Sequence, residues 1–145
     1  MILIAIALAT AAAPCKTYDT NLPRDLAGWT RLGRTLDTGH AVVLPARNKS
    51  AETTVTIRKA GTFGIAVDSQ AWVDLYRGRG KALDMASESR GPACSTIRKI
   101  VRYNLRPGTY RVTVTKVESG RARLMLVHSE TRDQHEVLRR YRRHR

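Results

Sequence analysis

The feature that most constrains this chain is a two-residue alternation of apolar and polar side chains, cut at short intervals by turn residues. It is clearest from Leu105 to Val114, LRPGTYRVTV, where a strand ends, Pro107 and Gly108 supply a tight reversal, and a new strand begins. Tyr110, Val112 and Val114 fall on one face and Arg111, Thr113 and Thr115 on the other. Successive side chains of a strand point to opposite sides, so this pattern makes a sheet that is apolar on one face and wet on the other.

The same period recurs along the chain. It predicts strands at His40 to Pro45, at Glu52 to Arg58 (Thr53, Val55 and Ile57 inward) and at Thr62 to Val67 (Phe63, Ile65 and Val67 inward). Ala71 to Arg77 places Ala71, Val73 and Leu75 on one face and Trp72, Asp74 and Tyr76 on the other. Residues 78 to 96 are polar and rich in Gly and Ser, with a short strand expected at Lys81 to Met85 and loop elsewhere. Ile97 to Leu105 alternates again, with Lys99 an exception on its apolar side. A last hairpin is expected through ESGR, with Ala122, Leu124 and Leu126 inward and Arg121, Arg123 and Met125 outward. Before all of these, Pro23 to Gly28 fits one turn of helix, pinned by Trp29. Seven or eight short strands at regular spacing, without heptads or a helix-period core, predict an all-β fold. The expected architecture is an antiparallel two-sheet sandwich, jelly-roll-like. The expected division is a leader over 1–13, a packed N-terminal segment over 14–40, the sandwich over 41–128 and a basic tail, disordered or helical, over 129–145.

The leader, MILIAIALATAAA, is an uncharged apolar run followed by small residues. It is too short to span a bilayer, which takes about 20 residues, and matches the apolar core and cleavage region of a secretory signal peptide. Periplasmic or secreted localisation follows as the expectation. In an oxidising compartment the two cysteines, Cys15 and Cys94, are most simply a disulfide.

Charge sets the class of partner. Lys and Arg number 26 against 12 Asp and Glu, a net +14. Such a chain favours polyanions. With export, these are an anionic envelope component: lipopolysaccharide, anionic lipid or acidic protein; export argues against nucleic acid. The tail concentrates the charge in Arg139, Arg140, Arg142, Arg143 and Arg145, which suit bidentate contact with phosphate or carboxylate. The second candidate site is the Trp72, Asp74 and Tyr76 face, whose rings and carboxylate suit a sugar or peptide if that face is exposed.

Catalytic and metal patterns are weak. Ser95 lacks a nucleophile-elbow context, and RGRGK at 77–81 lacks a phosphate-loop context. His128, Glu130, His135 and Glu136 match no metal spacing, and Asp68, Asp74, Asp84 and Glu88 are scattered acids of the kind that also form turns. No catalytic residue, metal or cofactor is assigned.

Residues 61 to 127 carry GTFGIAV, AWVDLY and YNLRPGTYRVTV, and resemble the small β-sandwich modules attached to secreted bacterial enzymes, of the pre-peptidase C-terminal and carbohydrate-binding jelly-roll types. LPRDLAGW and GPACSTIRKIVRYNL are similar to a group of small exported alphaproteobacterial proteins sometimes labelled homogentisate 1,2-dioxygenase. That label implies iron-dependent ring cleavage. An iron site of this kind needs something like two His and a carboxylate converging, and His40, His128, His135 and His144 form no such pattern in sequence. The expected role is therefore an envelope-associated binding or accessory module without enzymatic activity. The ring-cleaving enzyme is one alternative, and a structural interaction protein using sheet edges is another.

Overall fold

The period-two segments form seven of the eight strands in the computed structural model, which describes residues 14–129. The eight are β1 (Ala41–Pro45), β2 (Ala51–Ile57), β3 (Gly61–Val67), β4 (Trp72–Tyr76), β5 (Ser87–Arg90), β6 (Lys99–Leu105), β7 (Gly108–Thr115) and β8 (Arg121–His128). All pairings are antiparallel, in a five-stranded sheet ordered β1-β8-β3-β6-β5 and a three-stranded sheet ordered β2-β7-β4. The inward residues of both sheets, among them Val55, Ile65, Leu75, Val101, Val112 and Leu124, make one core. The chain changes sheet at every connection except β5 to β6, a two-sheet, jelly-roll-like winding. The leader and the Arg run of the tail lie outside the described residues.

Three expectations are corrected. The two reversals read as hairpins, β6 to β7 and β7 to β8, instead join strands of opposite sheets. At the first of them Leu105 pairs with Gly61 of β3 and Tyr110 with Val55 of β2, on opposite sheets, so the chain turns a corner of the sandwich rather than folding back on itself. The Tyr110 hydroxyl fastens that corner: it accepts the Arg106 N–H at 3.1 Å and donates to the Arg106 carbonyl at 2.7 Å. This is the tyrosine corner of Greek-key sandwiches. The strand expected at Lys81 to Met85 is not formed. The strand lies at Ser87–Arg90, four exposed residues with no apolar alternation to announce them. β4 pairs with β7 alone, and Leu83 donates its N–H to the Leu75 carbonyl (2.8 Å) while the Tyr103 hydroxyl donates to the Val73 carbonyl (3.1 Å). Those bonds occupy β4 backbone acceptors that another strand would need.

The third correction concerns Met125, expected outward but fully buried. The centre of the five-stranded sheet is covered on both faces, while Val43 of β1 and all of β5 stay exposed. Its outer face carries Ala66, Ile97, Ile100, Met125 and Val127, and Leu26 and Trp29 pack on them. These two come from the N-terminal segment, where the expected helical turn is a 3-10 helix over Arg24–Thr30. Its backbone comes close to the next loop at Gly28, where a Cβ would lie 2.6 Å from the carbonyl carbon of Gly39. The segment is tied down by the Cys15–Cys94 disulfide and by a polar chain. Thr96 donates its N–H and its hydroxyl to the two Asp19 carboxylate oxygens, at 2.8 and 2.6 Å, and the Trp29 indole N–H donates to the Thr96 hydroxyl at 2.8 Å.

Candidate ligand-binding face

With the centre of one sheet covered on both sides, the outer face of β2-β7-β4 is the sheet face on which no buried apolar cluster packs among the described residues. The pairing register lays it out in rows. Thr54, Arg111 and Tyr76 form one row, Glu52, Thr113 and Asp74 the next, and Thr115 and Trp72 a third. All lie on the side opposite Val55, Val112, Val73 and Leu75, which are buried.

The three residues picked out by alternation therefore share this face. Trp72 is 57% exposed, while Asp74 and Tyr76 are half-buried. Trp72 and Tyr76, four residues apart on one strand, are separated by about 13 Å. Each ring carries a cation. The Lys116 ammonium lies 5.1 Å from the Trp72 ring centroid, and the Arg111 guanidinium carbon lies 4.6 Å from that of Tyr76. At an exposed site such a contact is worth roughly 0.5–1 kcal/mol, enough to bias where a long basic side chain rests. Arg111 also meets Glu52 at 3.9 Å, a solvent-exposed pair of little energetic weight. Lys116 leaves β7 in the left-handed region, φ 58°. Neither cation was assigned from sequence. Their placement depends on the register between strands, which a one-strand pattern does not contain.

The face thus offers an open indole, a half-covered phenol, two cations held against rings, two carboxylates and the Thr54, Thr113 and Thr115 hydroxyls. Such groups suit binding and orientation, and none is a nucleophile paired with a base.

Other candidates are accounted for elsewhere. Cys15 and Cys94 form the disulfide, with Cα atoms 5.4 Å apart. The Ser95 hydroxyl donates to the Pro92 carbonyl at 2.6 Å, a turn-forming role. Asp68, Asp74, Asp84 and Glu88 do not converge, and among the described residues no three His, Cys, Asp or Glu side chains come together as a metal site. His128 packs its ring on Phe63. His40 meets Asp37 at 3.1 Å in an exposed loop. Burial pushes the Asp37 pKa up, but the Gly39 N–H, His40 and Thr35 outweigh it and hold that carboxyl below its usual value. Glu130, His135, Glu136 and the tail arginines 139, 140, 142, 143 and 145 lie outside the described residues. A cleft of about 310 Å³ between the N-terminal segment and the Cys94 turn is lined by Lys16, Thr17, Asn21 and the disulfide, and holds no catalytic constellation.

In comparisons with known proteins, no family model, curated protein or solved structure matches this chain. A shared architecture carries no activity with it.

Proposed function

We propose that this protein is an exported, envelope-associated binding or accessory module without catalytic activity, and that it takes an anionic glycan, of the kind lipopolysaccharide presents, on the β2-β7-β4 face. The observation that carries the reading is Trp72: a large aromatic side chain, 57% exposed on a regular strand, with the Lys116 ammonium 5.1 Å from its ring. Exposed indoles on ordered surfaces are contact anchors, because they supply area with little conformational entropy to lose. The apolar face of a sugar ring suits the indole, and its hydroxyls suit Asp74, Thr113 and Thr115. Carboxylate or phosphate substituents suit Lys116 and Arg111. Export is supported by the apolar leader and by the disulfide, which persists in oxidising compartments.

The test is calorimetric titration of the full chain with an anionic oligosaccharide and with a neutral one of equal length. The anionic ligand is expected to bind and the neutral one to bind weakly. Trp72→Ala is expected to weaken binding by about 10-fold or more, with little change in unfolding midpoint because the side chain supports no core. Wild-type affinity in Trp72→Ala would sink the reading.

A further inference from the structure

The pairing register gathers three loops at one end of the sandwich. Ile57 pairs with Gly108 and Gly61 with Leu105, and Tyr76 lies opposite Arg111. The β2–β3, β4–β5 and β6–β7 connections therefore leave their sheets side by side. They bring Arg58, Lys59, Arg77, Arg79, Lys81 and Arg106, all exposed. The stretches 58–60, 77–82 and 106–107 contain no acid; the one acid of these connections, Asp84, follows Leu83, whose N–H bonds the Leu75 carbonyl back along β4. The opposite end is mixed: Arg47, Lys49, Arg98 and Arg121 share it with Asp68 and Glu118, and Lys49 pairs with Glu118 at 3.6 Å. The basic end has a fixed core, since Arg77 donates to the Pro107 carbonyl at 3.2 Å and lies over the Tyr110 ring. β8 ends there too, with the Ser129 N–H donating to the Thr62 carbonyl, so the chain that leads to the tail arginines departs from this end.

We infer that this loop end is a docking surface for a phosphate-bearing membrane face. It is independent of the Trp72 face and uses none of the same residues. Six cations from three separate loops make a broad array at the tip of the sandwich. Each cation near an anionic surface contributes attraction that falls off within a Debye length.

The experiment is co-sedimentation of the full chain with phosphatidylcholine vesicles with and without phosphatidylglycerol, at low and high salt. Two triple variants of equal charge change are compared: Arg58→Gln/Arg79→Gln/Lys81→Gln at the basic end and Arg47→Gln/Arg98→Gln/Arg121→Gln at the other. None of these six side chains makes an ion pair among the described residues. The wild type is expected to bind only the anionic vesicles, and less in high salt. The basic-end triple is expected to lose about 100-fold in affinity, at about fivefold per cation, and the other triple less than about threefold. Equal losses in the two triples would mean that binding follows net charge and would overturn the inference. So would wild-type binding in the basic-end triple. Binding to soluble polyphosphate without binding to vesicles would also overturn it, in favour of a dissolved polyanion.

Discussion

Tyr103 shows how a single side chain in the core reports on pH. It is 2% exposed on β6, and its hydroxyl donates to the Val73 carbonyl across the sandwich. Burial, then the charges of Asp74 and Glu88 and the neighbouring Tyr76, push its pKa from 10.0 up to about 12. The folded chain therefore keeps the phenolic proton at pH values where the unfolded chain releases it. A group with a raised folded pKa contributes fully below the unfolded value and loses that contribution as pH climbs through the folded one. Unfolding free energy is accordingly expected to fall between about pH 10 and 12, by on the order of 2 kcal/mol. Tyr103→Phe should flatten that decline and cost about 1–3 kcal/mol at neutral pH, where the Val73 carbonyl loses its donor. Denaturant titrations of both proteins across this range decide it, and an equal alkaline decline in the variant would clear Tyr103 of responsibility. Lys99, the exception in the β6 alternation, is explained at the same scale. Its side chain is on the inner register yet lies beside the exposed edge strand β5, where its ammonium meets Glu88 at 3.5 Å. A nearly buried charge is tolerated because a partner is in reach.

At the scale of elements, the β6–β7 corner is where local sequence and global topology part company. Gly108 has φ 152°, a region that side chains avoid, and a Cβ there would lie 3.4 Å from the Arg77 guanidinium. Gly108→Ala is expected to cost about 1–3 kcal/mol, seen as a lower denaturation midpoint with an unchanged slope. A slope change would indicate that the corner alters the compactness of the end states instead. The strands and their faces were legible because period two is a local property. It placed Val112 and Val114 inward, and it placed Trp72, Asp74 and Tyr76 together on an outward face. Which sheet a strand joins is not local: LRPGTY reads equally as a hairpin or as a corner, and only the partners, Gly61 for Leu105 and Val55 for Tyr110, separate them. β5 was invisible because SESR has no apolar face to show. Met125 was misplaced because alternation assumes one wet face, and the N-terminal segment removes it. The cations over Trp72 and Tyr76 were missed because they depend on cross-strand register. The three-loop basic end depends on the same information.

Across the whole molecule, the N-terminal segment converts a two-layer sandwich into three layers and so decides which face is left for a ligand. Two kinds of restraint hold it. Packing and hydrogen bonds act locally: Leu26 and Trp29 on the five-stranded sheet, with Asp19, Thr96 and the indole N–H in series. The disulfide acts on the unfolded chain, closing a span of 79 residues. On the chain-entropy account, that closure contributes about 4–5 kcal/mol. The two make different predictions under reduction. The guanidinium midpoint of Cys15→Ser/Cys94→Ser should drop by an amount corresponding to about 4–5 kcal/mol. In the absence of denaturant the segment should stay docked, since its local contacts do not include the sulfurs. Trp29, fully buried, reports this directly in a Trp72→Phe background, where it is the remaining tryptophan. Its emission should stay that of a buried indole on reduction. Emission shifting to that of a hydrated indole would show that the cross-link, not the packing, holds the third layer in place. A midpoint that barely moves would show that the unfolded chain is already compact enough for the cross-link to add little.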